Sequence, residues 1–164
     1  MKYIVVRYNS SVVPQHIPEK PLADGGAETG AIIRDLARFR YALRTFLRFS
    51  EDAARQCGVT PQQHQLMLGV AGYSSGRSAT ISELAEFLQE RVHSVVGLVG
   101  RAERKGLVRS RKSKKDHRVV VVSLTGNGAT ILSRLCRIHY TEANRMEGFR
   151  GYQFLPSLMP GSRK

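Results

Sequence analysis

Between Arg101 and Arg118 the chain sets nine lysines and arginines against two acids, Glu103 and Asp116, so this short segment carries +7 of the formal +13 of all 164 residues. Fixed cations at this density neutralise phosphates, and an arginine fork can also grip a planar acceptor edge. Just upstream, Arg91, His93 and Ser94 offer hydrogen-bonding groups, Val96 an apolar surface and Gly97 no side chain at all. Such groups bind rather than make or break bonds. The sequence has no nucleophile elbow, no phosphate-cradling glycine loop and no His and Glu paired on a helix face, so it reads as a non-enzyme without a cofactor. A pI near 10.4 points to a polyanionic partner. The plainer reading of the charge run is a solvated hairpin.

The elements that must position these groups can be read from Thr80 to Thr125. Thr80 and Glu83 have the spacing of a capping box, so a helix starts near Ile81 and buries Ile81, Leu84, Ala85 and Leu88. A second helix buries Val95, Leu98, Val99 and Ala102 and stops at Gly106, without an obvious cap before Val92. Its other face is left free, with His93, Ser94, Val96, Gly97, Gly100 and Arg101 on it. Two glycines there each cost about 1 kcal/mol relative to alanine, which suggests that a smooth surface is needed for close approach. After Gly106 the period turns extended. Leu107 to Lys112 and Arg118 to Leu124 read as strands of a hairpin whose tip holds Lys114, Lys115 and Asp116. Two helices followed by a basic hairpin make a winged helix-turn-helix, in which the second helix enters the major groove of DNA. On that reading Arg91, His93, Ser94, Val96, Gly97 and Arg101 face base edges or phosphate. Lys112, Lys114, Lys115, Asp116 and Arg118 form the second contact, in the wing.

The segments ISELAEFL, SVVGLVGRAERKGLV and DHRVVVVSLTGNGA, in this order, resemble the MarR family of transcriptional regulators, and the resemblance covers roughly Ile32 to Met146. It implies a dimeric, DNA-binding regulator, read as a repressor on a palindromic operator. It also implies that Arg118 enters the minor groove while Asp116 holds it, and that Leu124, Thr125 and Gly128 open the next helix. In the family small aromatic acids often bind between the helix after Thr60 and the long helices, which makes Arg44 and His64 effector candidates. For both, a surface or core-edge role is the plainer reading. The alternative to a sequence-specific regulator is an architectural or protein-binding winged-helix module.

The expected fold is therefore mainly α with a small β-hairpin wing, flanked by long N- and C-terminal dimerisation helices. Residues 1–29, with Pro14, Pro18 and Pro21, read as a partly irregular arm with one candidate strand at Tyr3 to Val6. Residues 30–147 form the winged helix-turn-helix domain, with a DNA-binding lobe at about 60–125 and dimerisation helices at about 31–57 and 126–147. In the first of these, Ile32, Leu36, Phe39, Leu43, Phe46, Leu47 and Ala54 make an apolar stripe that needs packing along its length. Thr60, Pro61 and Gln63 start the following helix, expected to run to the turn at Ser74 to Gly76. Residues 148–164 read as a short irregular tail where the family usually adds a helix.

MKYIVVRY is too short and too soon interrupted by Arg7 for a signal peptide. No run reaches the roughly 18 apolar residues of a membrane span. A cytoplasmic protein is the expectation. Cys57 and Cys136 make no disulfide framework. Some relatives sense peroxides through a thiol in the first helix, but Cys57 lies at the opposite end of it. Cys136 and His139 share a helix face, yet two ligands do not make a zinc site, and no metal is expected.

Overall fold

A computed structural model describes residues 27–73 and 78–145. Its elements are α1 (Ala27–Gln56), α2 (Pro61–Leu68), a π-helical turn (Gly69–Tyr73), β1 (Ser78–Thr80), α3 (Ile81–Leu88), α4 (Val92–Arg104), β2 (Val108–Lys112), β3 (Val120–Leu124) and α5 (Gly126–Arg145). The candidate strand at Tyr3 to Val6, the rest of the arm to residue 26, the turn at Ser74 to Gly76 and the tail at 148–164 lie outside the described residues. The chain divides into two compact units, one ending at Arg38 and one beginning at Phe39. In the first, α1 starts at Ala27, ahead of the expected start near residue 31, and its opening turns leave Ile32, Ile33 and Leu36 open to solvent. Asp35 and Arg38 form an exposed pair there, worth little to stability.

The second unit holds the core. Two capping boxes set its helices. The Thr60 hydroxyl accepts the Gln63 amide at 3.1 Å while Gln63 Oε1 accepts the Thr60 amide at 3.0 Å. Thr80 and Glu83 repeat this at 3.2 and 2.6 Å, and these bonds to Thr80 hold the Glu83 carboxyl below its ordinary value. Each such cap contributes on the order of 1 kcal/mol. Gly58 and Gly106 take positive φ, +77° and +66°, and end α1 and α4 with a geometry that costs other residues dearly. From α1 only Ala42, Ser50, Ala53 and Ala54 are buried, whereas Leu43 and Leu47 of the expected stripe are exposed. α2 contributes Leu66 and Met67, α3 contributes Leu84 and Ala85, and α5 contributes Leu132 and Leu135.

Three further features differ from the sequence expectation. The helix after Thr60 does not stay α-helical to Ser74: it widens into the π turn at Gly69, where an added Cβ would lie against the Phe87 ring and Leu84. The hairpin is part of a three-stranded antiparallel sheet in the order β1-β3-β2, with Ala79 opposite Val122 and Ser110 opposite Val122 on the other side. β1 has only three residues, too few to show an alternation. β3 also starts at Val120 rather than Arg118, because Asp116 draws Arg118 and Val119 into the turn through Val119 N–H to the Asp116 carbonyl at 3.0 Å.

The sheet is tied to α5 by the Leu-Thr-x-x-Gly segment. The Thr125 hydroxyl donates to the Gly106 carbonyl at 2.6 Å and accepts the Gly128 amide at 3.0 Å, and the Thr125 amide donates to the Leu107 carbonyl at 3.1 Å. Gly128 therefore packs its Cα directly on the Leu107 backbone, and a Cβ would fall on the Leu107 carbonyl oxygen. Gly128→Ala should lower unfolding stability by on the order of 3 kcal/mol, measured by urea denaturation. A loss under about 0.5 kcal/mol would contradict this account of the motif.

Candidate nucleic-acid interface

Burial fixes the orientation of α4. Val95, Leu98, Val99 and Ala102 lie between 0% and 7% exposed, and helical periodicity then turns His93, Gly97, Gly100 and Arg104 outward as one row. Arg91, His93, Ser94, Val96, Gly97 and Arg101 are all exposed, as the free face requires. Arg91 is the N-cap and makes no side-chain cap bond, which agrees with the missing cap in the sequence. The Cβ positions of Gly97 and Gly100 would meet nothing nearer than the guanidinium tips of Arg101 at 3.4 Å and Arg104 at 3.8 Å. Neither glycine is therefore required by the packing of this unit.

The wing is anchored at its base and open at its tip. Glu103 of α4 accepts the Ser110 amide at 2.7 Å and its hydroxyl at 3.0 Å, and so pins β2 to the end of the helix. Beyond that point Arg111, Lys112, Lys114, Lys115, Asp116 and Arg118 are exposed, as is Arg109. Asp116 Oδ1 accepts the backbone amide of Arg118 at 2.9 Å. The carboxylate thus shapes the turn that presents Arg118 and does not grip its guanidinium. Arg104, Arg109 and Arg111 were absent from the residues singled out by sequence. The spacing of Arg104 from His93, Gly97 and Gly100 would have placed it on the same row. Of the segment's cations, Lys105 points elsewhere, donating to the Gly58 carbonyl at 2.6 Å.

The two effector candidates do not meet. Arg44 is exposed, while His64 is 2% exposed and stacks on His139 with ring centroids 4.8 Å apart. Phe46 and Phe49 stand edge-on to the His139 ring at 5.8 and 5.9 Å. His139 lies 2.6 Å through Nδ1 from the Leu135 carbonyl and 2.8 Å through Nε2 from the Ser50 hydroxyl. A carbonyl can only accept, so Nδ1 donates to Leu135, while Nε2 shares a hydrogen bond with the Ser50 hydroxyl. A separate cavity of about 420 Å³ is lined by Leu47, Ser50 and Glu51 of α1, Pro61, Gln62 and Gln65 of α2, Leu88 and Glu90, and Ser94, Val95, Leu98 and Arg101 of α4. Neither Arg44 nor His64 lines it.

Among the described residues no group of three or more His, Cys, Asp or Glu could hold a metal ion, and both His139 ring nitrogens lie at hydrogen-bond distance from Leu135 and Ser50. Among them, too, no helix is long and apolar enough to cross a membrane.

Residues 58–119, the span from the end of α1 to the wing, match the model of the MarR family. Over that span the chain is similar to the MarR family. Solved structures agree at the level of fold. A MarR family protein from Bacillus stearothermophilus is 23% identical, with a TM-score of 0.60 over 76% of this chain and 84% of that one. AbsC, a MarR family transcriptional regulator from Streptomyces coelicolor, is 20% identical, with a TM-score of 0.58 over 73% and 76%. A mutant of MepR from S. aureus, bound to an oligodeoxyribonucleotide, is 22% identical, with a TM-score of 0.55 over 65% and 76%. No curated protein sequence matches the chain significantly.

The His64 pair has a consequence for acid stability. Burial, and then the neighbouring His139, lowers the His64 pKa from 6.5 to about 4. Between those values the unfolded chain binds more protons than the folded one, so stability is complete above about pH 6.5 and is lost as pH falls toward 4. The loss is on the order of 3 kcal/mol at most. Thermal unfolding at pH 7 and pH 4.5 should show a larger fall in Tm for the wild type than for His64→Phe. Equal falls in the two proteins would contradict the assignment.

Proposed function

We propose that this protein is a dimeric transcriptional regulator that binds double-stranded DNA, with α4 in the major groove and the wing against the minor groove. The observation that carries the reading is the coincidence, within one compact unit, of a helix face left open by its own packing and an exposed cationic hairpin pinned beside it. Arg91, Arg101 and Arg104 would flank the base-reading residues His93, Ser94 and Val96. Arg111, Lys112, Lys114, Lys115 and Arg118 would neutralise phosphate, with Arg118 presented to the narrow groove by the Asp116 turn. MepR, bound to an oligodeoxyribonucleotide in its structure, shares the fold and supports the reading by analogy.

The exposed Tyr41, Leu43 and Leu47 of α1 suit burial in a homodimer, and a two-fold axis would call for a palindromic operator with half-sites about one helical turn apart. Repression is the sign of regulation we assign, with release by a small aromatic ligand. That ligand would sit in the 420 Å³ cavity rather than at Arg44 or His64, because the cavity reaches Ser94 and Arg101 on the DNA-reading helix. The site of action is the cytoplasm. One observation favours a second reading, an architectural module with little sequence preference: two of the four residues in the outward row of α4 are glycines, beside a strongly basic wing.

The two readings separate in one titration at physiological salt of a palindromic site from the regulator's own upstream region against random duplex. A ratio of about 10³ or more is expected, and a ratio near one would overturn sequence-specific regulation. Arg118→Ala should weaken operator binding at least tenfold by fluorescence anisotropy at fixed salt, with an unchanged circular dichroism spectrum; undiminished affinity would remove its groove role. Gly97→Ala should raise the stability of the free protein by up to about 1 kcal/mol while weakening DNA binding. If both properties rise, or neither moves, the smooth surface has no part in recognition.

A further inference from the structure

We propose that Val92 and Val96 form an apolar ridge that recognises thymine in the operator through its C5-methyl group. The inference rests on the duplex reading above and makes it specific. Both side chains are a little over half exposed, 52% and 53%, in the first turns of α4. They contribute little to the core of this unit, which takes Val95, Leu98, Val99 and Ala102 from the same helix. β-Branched residues also lower helix propensity, so nothing local favours valine at either position. Spaced four apart, they stand on one side of the helix about 6 Å from each other along its axis.

The surroundings select the occupant. Arg91 lies immediately before the ridge, Arg101 and Arg104 follow on the same helix, and the exposed cations of the wing lie beyond. A surface with this charge attracts a polyanion, and the partner must also offer small apolar groups where a helix can reach them. In B-form DNA those groups are the thymine methyls, displayed in the one groove wide enough for an α-helix. The deep, narrow major groove of double-stranded RNA excludes a helix, and its uracil lacks the methyl. At 3.4 Å per base pair, 6 Å corresponds to about two base steps. The ridge therefore covers two methyls separated by one or two steps in each half-site, beside a base edge within reach of His93.

The test uses the full chain and duplexes that it selects from a random pool. Each half-site of the selected sequences should contain thymines one or two steps apart. Replacing them with deoxyuridine removes the methyl and leaves every base-pairing hydrogen bond, so affinity should fall about fourfold per methyl. Val96→Ala, in which the better helix former preserves the fold, should lose a similar factor on the thymine site and become indifferent to uracil exchange at one of the two thymines while Val92 still senses the other. Equal binding to thymine and uracil sites would overturn the proposal and leave the duplex reading intact. So would a Val96→Ala loss that is the same on both sites. Failure to select any duplex would overturn both.

Discussion

The inward anchoring of α4 governs the rest of the structure. Four side chains, Val95, Leu98, Val99 and Ala102, are taken out of water against α3, α2 and β2, and each large one contributes on the order of 2 kcal/mol to holding the helix in place. A helix secured along one stripe has no freedom to choose what it shows on the other. The row from His93 to Arg104 is outward because its opposite is inward. A second set of bonds, from Glu103 to Ser110, keeps the basic hairpin beside that row. The outward row and the base of the cationic hairpin are therefore held side by side by one set of contacts.

The same packing explains the junction behind it. Leu107 is buried to 1% and its carbonyl serves Thr125, while Gly128 lies against its backbone. One residue thus links the end of α4, the start of the sheet and the start of α5. The motif Leu-Thr-x-x-Gly is legible in the sequence as a pattern. Its physical content, a hydroxyl that both donates and accepts across the junction and a glycine admitted by lack of space, becomes visible only in the structure.

What the sequence showed and what it did not divide along the range of the interactions. Both capping boxes, the stops at Gly58 and Gly106, the absent cap at Arg91 and the buried stripes of α3 and α4 follow from neighbours within four residues, and all are legible. β1 was missed because three residues carry no period, and the close approach of Phe87 and Leu84 to Gly69 at the π turn because it joins separate helices. His64 and His139 are 75 positions apart, a separation no spacing rule reads, and their stacking turns a candidate ligand-binding histidine into a core residue. The wing shows the finest distinction. The pairing of Asp116 with Arg118 was legible, but the bond goes to a backbone amide, so the acid sets a turn rather than a guanidinium. Arg104, on the outward row, was within reach of the same periodic reasoning and was passed over in favour of residues nearer the helix start.

Electrostatics and shape then act on different parts of recognition. On the proposed reading, the exposed wing cations would supply long-range, salt-sensitive attraction that is blind to sequence. The α4 face, with one imidazole, one hydroxyl, two valines and two glycines, is where discrimination among base pairs would arise. The account's central claim is that these two surfaces engage one duplex together. Backbone amide shift mapping by NMR, with a selected duplex titrated into the protein, tests it most directly. The account predicts the largest perturbations at residues 91–104 of α4 and 111–118 of the wing in the same titration. Perturbations confined to other elements, with both of those segments unmoved, would contradict it.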